Sequence, residues 1–232
     1  LTKNDSAWSD GMAAWAALTS ASQSSVDRCS EWMRRADRLN TGYGLLRTQV
    51  QETDIATNTV LGRPKTRISL VDKNELRHQP IDVGVGISQV LPVVVAALSS
   101  GTSIASIEQP ELHVHPEVQV GLGDLFIQGA WEFGTSFLIE THSEHLILRL
   151  LRRIRETSEG NMPAGHFSLN PDDLNIVYIG RSESGAVTID PIAIDDKGKF
   201  LERWPRGFFP ERMRESLPTE VRARMESTRQ GE

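Results

Sequence analysis

Residues Ile104–Pro116 read IASIEQPELHVHP. A short apolar run (Ile104, Ala105, Ile107) delivers an acid, Glu108, followed by an amide, Gln109, a proline, a second acid, Glu111, and two histidines on alternate positions, His113 and His115. A buried strand that ends in a carboxylate is one way to hold a metal ion at the edge of a sheet, because the strand fixes the acid while the cation stays open to further ligands. The downstream sequence repeats the pattern. Pro116 is placed to start a helix that runs through Val118, Val120, Leu122 and Leu125 to Trp131. A second apolar strand, Ser136–Ile139, ends in Glu140-Thr141-His142-Ser143. Leu146, Ile147, Leu150, Leu151 and Ile154 then mark a helix with a basic outer face of Arg149, Arg152, Arg153 and Arg155. Two buried strands with polar ends, each followed by a helix, describe an α/β core whose function lies at the carboxyl ends of the strands.

Upstream, Asp82-Val-Gly-Val-Gly-Ile-Ser-Gln89 runs directly into the apolar stretch Val90–Leu98. Gly84 and Gly86 before Ser88 and Gln89 suggest a helix N-terminus whose free N–H groups and serine hydroxyl can receive an anion such as a phosphate. On these residues alone, the plainer reading is a glycine turn with Ser88 as an ordinary N-cap. Gly86-Ile-Ser-Gln-Val90 lacks the closing glycine of a hydrolase nucleophile elbow. No G-x-x-x-x-G-K-[ST] phosphate loop occurs anywhere in the chain.

The first 46 residues carry apolar side chains at helical spacing: Trp8, Met12, Trp15 and Leu18, then Val26, Cys29 and Met33. Asp5 or Ser6 is placed to cap the first helix. The second is expected from about Ser24 to Leu39, stopped by Asn40, Gly42 and Gly44. They read as a packing pair, with a partner-binding helical arm as the alternative. Leu46–Val50 and Thr66–Val71 alternate as half-buried strands do, and Gly62-Arg-Pro-Lys65 looks like the turn between them. Arg63, Lys65 and Arg67 could touch phosphate, but without interleaved aromatics they read as a solvated hairpin tip. Gly160–Asn170 is a loop. Asp173–Ile179 and Gly185–Ile189 form a further strand pair across a turn at Ser182–Gly185, and Glu211–Arg224 is a charged terminal helix or a frayed end.

With 232 residues, 38% hydrophobic and 24% charged, the composition is that of a globular protein of one large domain or two small ones. A net charge of -6 does not favour a nucleic-acid backbone, although a local basic patch would. The single cysteine, Cys29, excludes an internal disulfide framework and a cysteine-based zinc site and fits a reducing, cytoplasmic setting. The longest apolar run, Val90–Leu98, is about half a membrane span, and no signal peptide is visible, so no membrane association is expected. The chain opens at Leu1 rather than Met, as a fragment or trimmed chain would.

Three segments in this order resemble the C-terminal half of an ABC-type ATPase head of the bacterial AAA/OLD/RecF/SMC-like group. DVGVGISQVLP resembles the signature motif, SIASIEQPELHVHP the Walker B strand with the D-loop region after it, and FLIETHSEHLI the switch-histidine strand. The end, DDKGKFLERWPRGFFPE, is similar to the tail of a subfamily with a W-P-x-G-F-F element. The match covers roughly Ile81 to Glu211. The resemblance implies an ABC/P-loop NTPase-like α/β core lacking the Walker A half, with an N-terminal helical segment (1–46), a β-hairpin or linker leading to the signature (47–80), the core half itself (81–160), and C-terminal strands with the tail (161–232).

The same resemblance implies roles for single residues. Ser88, with Gly86 and Gln89, reaches across a dimer to the γ-phosphate of ATP held by the other subunit. Glu108 holds Mg²⁺. Gln109 stands where many relatives carry the glutamate that polarises the attacking water. His142 hydrogen-bonds the γ-phosphate, His115-Pro116 matches the pair that follows Walker B, and Glu111 is a supporting carboxylate. ATP and Mg²⁺ are the implied cofactors. The implied partners are a second copy, the Walker A half expected upstream, and an effector protein in DNA maintenance or anti-phage defence, with DNA binding open. A glutamine at position 109 can orient a water but cannot take its proton, so hydrolysis is expected to be slow, or Glu108 or Glu111 takes over.

Other chemistries compete for the same residues. Alternate residues on an extended strand point one way, so His113 and His115, with Glu111 and His142, could form a transition-metal site. Ser88 and His142 could form a hydrolase pair, and both histidines could be purely structural. At the level of function, the alternative to an ATPase is a non-catalytic nucleotide sensor or assembly scaffold with a disabled Gln109.

Overall fold

In the computed structural model, residues 11–99, 103–182, 184–202 and 204 are described. The chain divides into two units, Leu1–Leu169 and Asn170–Glu232. Its class is mixed α/β, with helices at the start of the first unit and a strand pair in the second. Trp8, the proposed caps Asp5 and Ser6, the tail beyond Trp204 and the terminal helix lie outside the described residues.

The first unit opens with α1 (Met12–Ser20) and α2 (Gln23–Arg34). Ser22 caps α2, its side chain accepting from the Ser25 N–H at 3.2 Å. Helix α2 buries Val26, Cys29 and Met33, the spacing read from the sequence, together with Trp32, and so packs as expected, whereas in α1 Leu18 is buried but Met12 is 62% exposed. Burial pushes the Cys29 thiol up to about 12, which leaves it an apolar filler rather than a nucleophile. Helix α2 stops at Arg34, five residues before the expected end. The chain then turns, with Thr41 N–H bonded to the Met33 carbonyl at 2.8 Å, and Leu39 is buried from this turn rather than from the helix.

Strands β1 (Tyr43–Asp54) and β2 (Thr59–Asp72) form an antiparallel hairpin much longer than the alternation suggested, and β3 (Arg77–His78) pairs with β2. Its turn is not Gly62–Lys65 but residues 55–58, where the Asp54 side chain accepts from the Ala56 and Thr57 N–H groups at 2.8 and 3.0 Å and Asn58 takes φ 52°. Gly62-Arg63-Pro64 instead forms an irregularity inside β2. Val50 pairs with Lys65 but Glu52 with Leu61, so three residues oppose one, with Gly62 at φ 70°. Lys65 pairs with Glu52 at 2.7 Å on this exposed part of the ribbon. The base of the hairpin is tied to the helices by Arg47, which donates to the Ala21 and Thr19 carbonyls at the end of α1, and by Ser30, which accepts the Leu45 N–H at 2.8 Å.

After a short 3-10 turn (Pro80–Asp82) comes α3 (Val85–Ala97), then the α/β core: β4 (Ile104–Glu108), α4 (Pro116–Phe133), β5 (Ser136–Glu140) and α5 (Glu144–Ser158). Strands β4 and β5 are parallel, which requires the helical crossover that α4 supplies. Leu91 and Val94 of α3, Leu122 and Leu125 of α4, and Leu146 and Ile154 of α5 are essentially inaccessible. Among the described residues, only one face of the strand pair is covered. Ala105 is buried, whereas Ile104 and Leu138 on the other face are 72% and 68% exposed. No described helix is long and apolar enough to cross a membrane.

The basic face expected on α5 is only partly external. Arg153 is 2% exposed and forks onto buried Asp124 of α4 (2.7 and 2.9 Å), Arg149 reaches the same carboxylate at 2.7 Å, and Glu156 closes the group from Arg152 and Arg153. Helical spacing cannot distinguish a solvated arginine from one whose partner lies on another helix. His166 lies 3.6 Å from Asp124, and its pKa is lowered, first by burial and then by Arg153 and Arg38, against the pull of Asp124. The folded state therefore disfavours protonated His166. Its contribution is fully present above the unfolded value near 6.5 and is lost as pH falls below it toward the lowered folded value. Urea unfolding at pH 7.5 and pH 5.5 is expected to show a larger loss on acidification for the native chain than for His166→Gln. Equal losses would contradict this assignment.

In the second unit, β6 (Ile176–Arg181) and β7 (Val187–Ile192) form the antiparallel pair. Asp173 belongs to a 3-10 turn (Pro171–Asp173) ahead of the pair, not to the strand. Trp204 packs against Tyr178 and Phe200.

Candidate functional site

Strands β4 and β5 run in parallel register, so the acids that end them are direct neighbours: Glu108 pairs with Glu140. Both are exposed on the open face of the pair. Side chains at paired positions of adjacent strands share a face on backbones about 4.8 Å apart. The sequence singled out Glu108 and passed over Glu140. The signal was there, since each acid is the fifth residue of a five-residue strand.

The ladder continues one step beyond the strands, with the Gln109 N–H donating to the Glu140 carbonyl at 2.8 Å. The chain then leaves the extended conformation. Gln109 and His113 take φ 46° and 59°, and turn bonds join Leu112 N to the Gln109 carbonyl and Val114 N to the Glu111 carbonyl. His113 and His115 therefore do not alternate on a strand, and the premise of a transition-metal site on that strand fails. His115 instead caps α4, its Nδ1 accepting from the Glu117 N–H at 3.3 Å. Among the described residues, no group of three or more His, Cys, Asp or Glu side chains could hold a metal.

The loop carrying His142 is clamped to the loop after β4. The His142 N–H donates to Glu111 Oε1 at 2.6 Å. Ser143 caps α5 by accepting from the Leu146 N–H, and its hydroxyl donates to Gln119 Oε1 at 2.7 Å. The Gln119 amide then donates to the Val114 carbonyl at 3.1 Å. Gln119 is a tie between the loops that nothing in the local sequence announces. The His142 side chain is exposed.

The third segment meets the same loop from the other side. Gly84, not Ser88, is the N-cap of α3, so Ser88 sits inside the first turns and donates its hydroxyl to the Pro80 carbonyl at 3.3 Å rather than to an imidazole. A Cβ on Gly86 would lie 2.5 Å from the His113 carbonyl oxygen, so only glycine lets α3 approach this closely. A cleft of about 290 Å³ lies here, lined among others by Gly84, Gly86, His113 and His115. Two polar atoms of the assembly, Gln89 Oε1 and Glu111 Oε2, are buried without a hydrogen-bond partner among the described residues.

The structure thus brings Glu108, Gln109, Glu111, His142 and Gly86 into one assembly of two strand ends, their loops and a helix N-terminus. Such an assembly can present two carboxylates, an amide and an imidazole to a ligand at the carboxyl edge of the sheet.

No family model and no curated protein matches the chain. Two of the solved structures that align with the chain are SMC head structures. The crystal structure of the SmcHead bound to the C-winged helix domain of ScpA aligns with a TM-score of 0.49 at 9% identity, over 74% of this chain and 43% of that one. A structure from work on ATP-driven dimerization and DNA stimulated activation of SMC ATPases aligns with a TM-score of 0.44 at 10% identity, over 73% of this chain and 84% of that one. The chain spans less than half the length of the first. With both scores below 0.5, neither neighbour informs what this chain does.

Proposed function

We propose that the chain contributes the Walker B, signature and switch-histidine elements of an ABC-type ATPase head, which binds ATP with Mg²⁺, dimerises on it and drives or gates a partner, in DNA maintenance or anti-phage defence. The observation that carries this reading is the convergence of three motif segments on one loop: Glu108 and His142 on adjacent strand ends, and Gly86 packed against the backbone between them. The open face of β4 and β5 supports it further. Parallel strands are normally covered on both faces, so the exposed Ile104 and Leu138 suit a strand-bearing segment that also supplies the missing phosphate loop.

Mg²⁺ fits the donor set. It takes one or two protein carboxylates and fills its remaining positions with phosphate and water oxygens, so the Glu108–Glu140 pair suffices without a protein cage. When bound, the ion neutralises charge on the transferring phosphoryl group. This chain's own residues do the rest. Glu108 anchors the metal, the Gln109 amide orients water, and the exposed His142 imidazole donates to a phosphate oxygen. Ser88 serves the opposite subunit from the start of α3. Glu111 accepts from the His142 N–H through Oε1 and its Oε2 is buried, so beside Gln109 the water lacks an exposed proton acceptor of the usual kind.

That glutamine favours a second reading, a nucleotide-gated scaffold that holds ATP without turning it over. ATP turnover and ATP-dependent dimerisation of the full-length protein separate the two, with Gln109→Glu beside the native protein. For an enzyme, slow turnover is expected that rises in Gln109→Glu. Dimerisation with no turnover in either protein would leave the scaffold. Neither binding nor dimerisation would refute both.

A further inference from the structure

We propose that Glu111 is the positioning residue for His142: its carboxylate holds the backbone of the histidine and so sets where the imidazole is presented. The role in turnover rests on the ATPase reading above, whereas the hydrogen bond itself does not.

The argument starts from backbone freedom. His142 lies between the end of β5 at Glu140 and the start of α5 at Glu144, outside both hydrogen-bonded elements. An exposed side chain on a short connection is aimed by its own backbone, and among the described residues the His142 N–H has one partner, Glu111 Oε1 at 2.6 Å across 31 residues of sequence. Hydrogen bonds with an ionised acceptor are shorter and stronger than neutral ones. Glu111 is itself held in a tightly wound loop. The carbonyl of Glu111 accepts from Val114 N–H, Pro110 ahead of it is buried, and Gln109 and His113 on either side take left-handed φ values. Its second oxygen, Oε2, is buried without a hydrogen-bond partner among the described residues. The neighbouring tie through Gln119 and Ser143 fixes the start of α5, one residue later, and does not reach the His142 amide.

The test uses the full chain labelled with ¹⁵N-histidine, which gives six backbone amide signals, one for each histidine, with His142→Asn used to assign the sixth. In the native chain the His142 amide proton is expected far downfield. It moves upfield in Glu111→Gln, which keeps an acceptor but loses the charge, and further in Glu111→Ala, while the other five signals confirm the fold. An unmoved His142 signal in a folded Glu111→Ala chain overturns the proposal. In the full-length protein, Glu111→Ala is expected to lower kcat about tenfold to a hundredfold with the KM for ATP unchanged, Glu111→Gln to recover part of it, and Glu111→Ala to add little to His142→Ala. Fully additive losses would overturn the positioning role. If the native protein hydrolyses no ATP, the ATPase reading fails, while the amide signal still decides whether Glu111 holds His142.

Discussion

On the proposed ATPase function, Glu108→Ala is expected to lower ATP turnover by the full-length protein on the order of a hundredfold or more while leaving its stability within about 0.5 kcal/mol of the native value. The two halves of this expectation have separate causes. A metal bound by carboxylates stabilises developing phosphoryl charge by several kcal/mol, and Glu108 is one of only two acids that the strand ends place side by side. The same residue is exposed at the edge of the sheet, so truncating it opens no cavity and strands no buried group. Glu140→Ala is the natural companion, with a smaller loss expected if Glu108 is the principal ligand. A Glu108→Ala protein that unfolds would show that the residue holds the sheet edge together rather than a metal.

Asp124→Ala is expected to cost about 3–5 kcal/mol of stability, read as a lower urea midpoint at unchanged slope. Asp124 is 6% exposed and receives two bonds from Arg153 and one from Arg149. Its removal leaves the Arg153 guanidinium, 2% exposed, with a single acidic partner, Glu156, and a charge that water reaches poorly. The paired replacement Asp124→Leu with Arg153→Met is expected to cost much less, because it removes the desolvated charges together. A small loss in Asp124→Ala alone would mean that water or Glu156 already satisfies the arginine.

The contrast between these residues shows what could be read ahead of the structure. The positions of Glu108 and His142 at the strand ends were legible because each ends or follows a short apolar run, and a strand projects its terminal residue in a way that its sequence records. The strands themselves fall within a residue of their expected limits. Asp124 and Arg153 were not legible, since their partners lie 25 to 29 residues away on another helix and periodicity speaks only to one helix at a time. The hairpin turn was misplaced for a local reason. Gly62 and Pro64 are strong turn signals, but an irregular strand uses the same left-handed glycine and missing N–H as a turn does, while the side-chain hydrogen bonds of Asp54 marked the real reversal. The alternative reading of Ser88 as an N-cap fails because Gly84, with no side chain to signal it, starts the helix four residues earlier. Gly86 was recognised for its backbone, and its actual constraint, the carbonyl of His113, belongs to a segment 27 residues on.

The claim at the centre of the account is that Glu108 holds a nucleotide-bound divalent cation. It is tested most directly by electron paramagnetic resonance of Mn²⁺ in place of Mg²⁺ with the full-length protein and ATP. A protein-bound Mn²⁺·ATP signal is predicted for the native protein and for Glu159→Ala, which removes an exposed acid at the far end of α5, and its loss is predicted for Glu108→Ala. An undiminished signal in Glu108→Ala, or none in the native protein, would contradict the assignment.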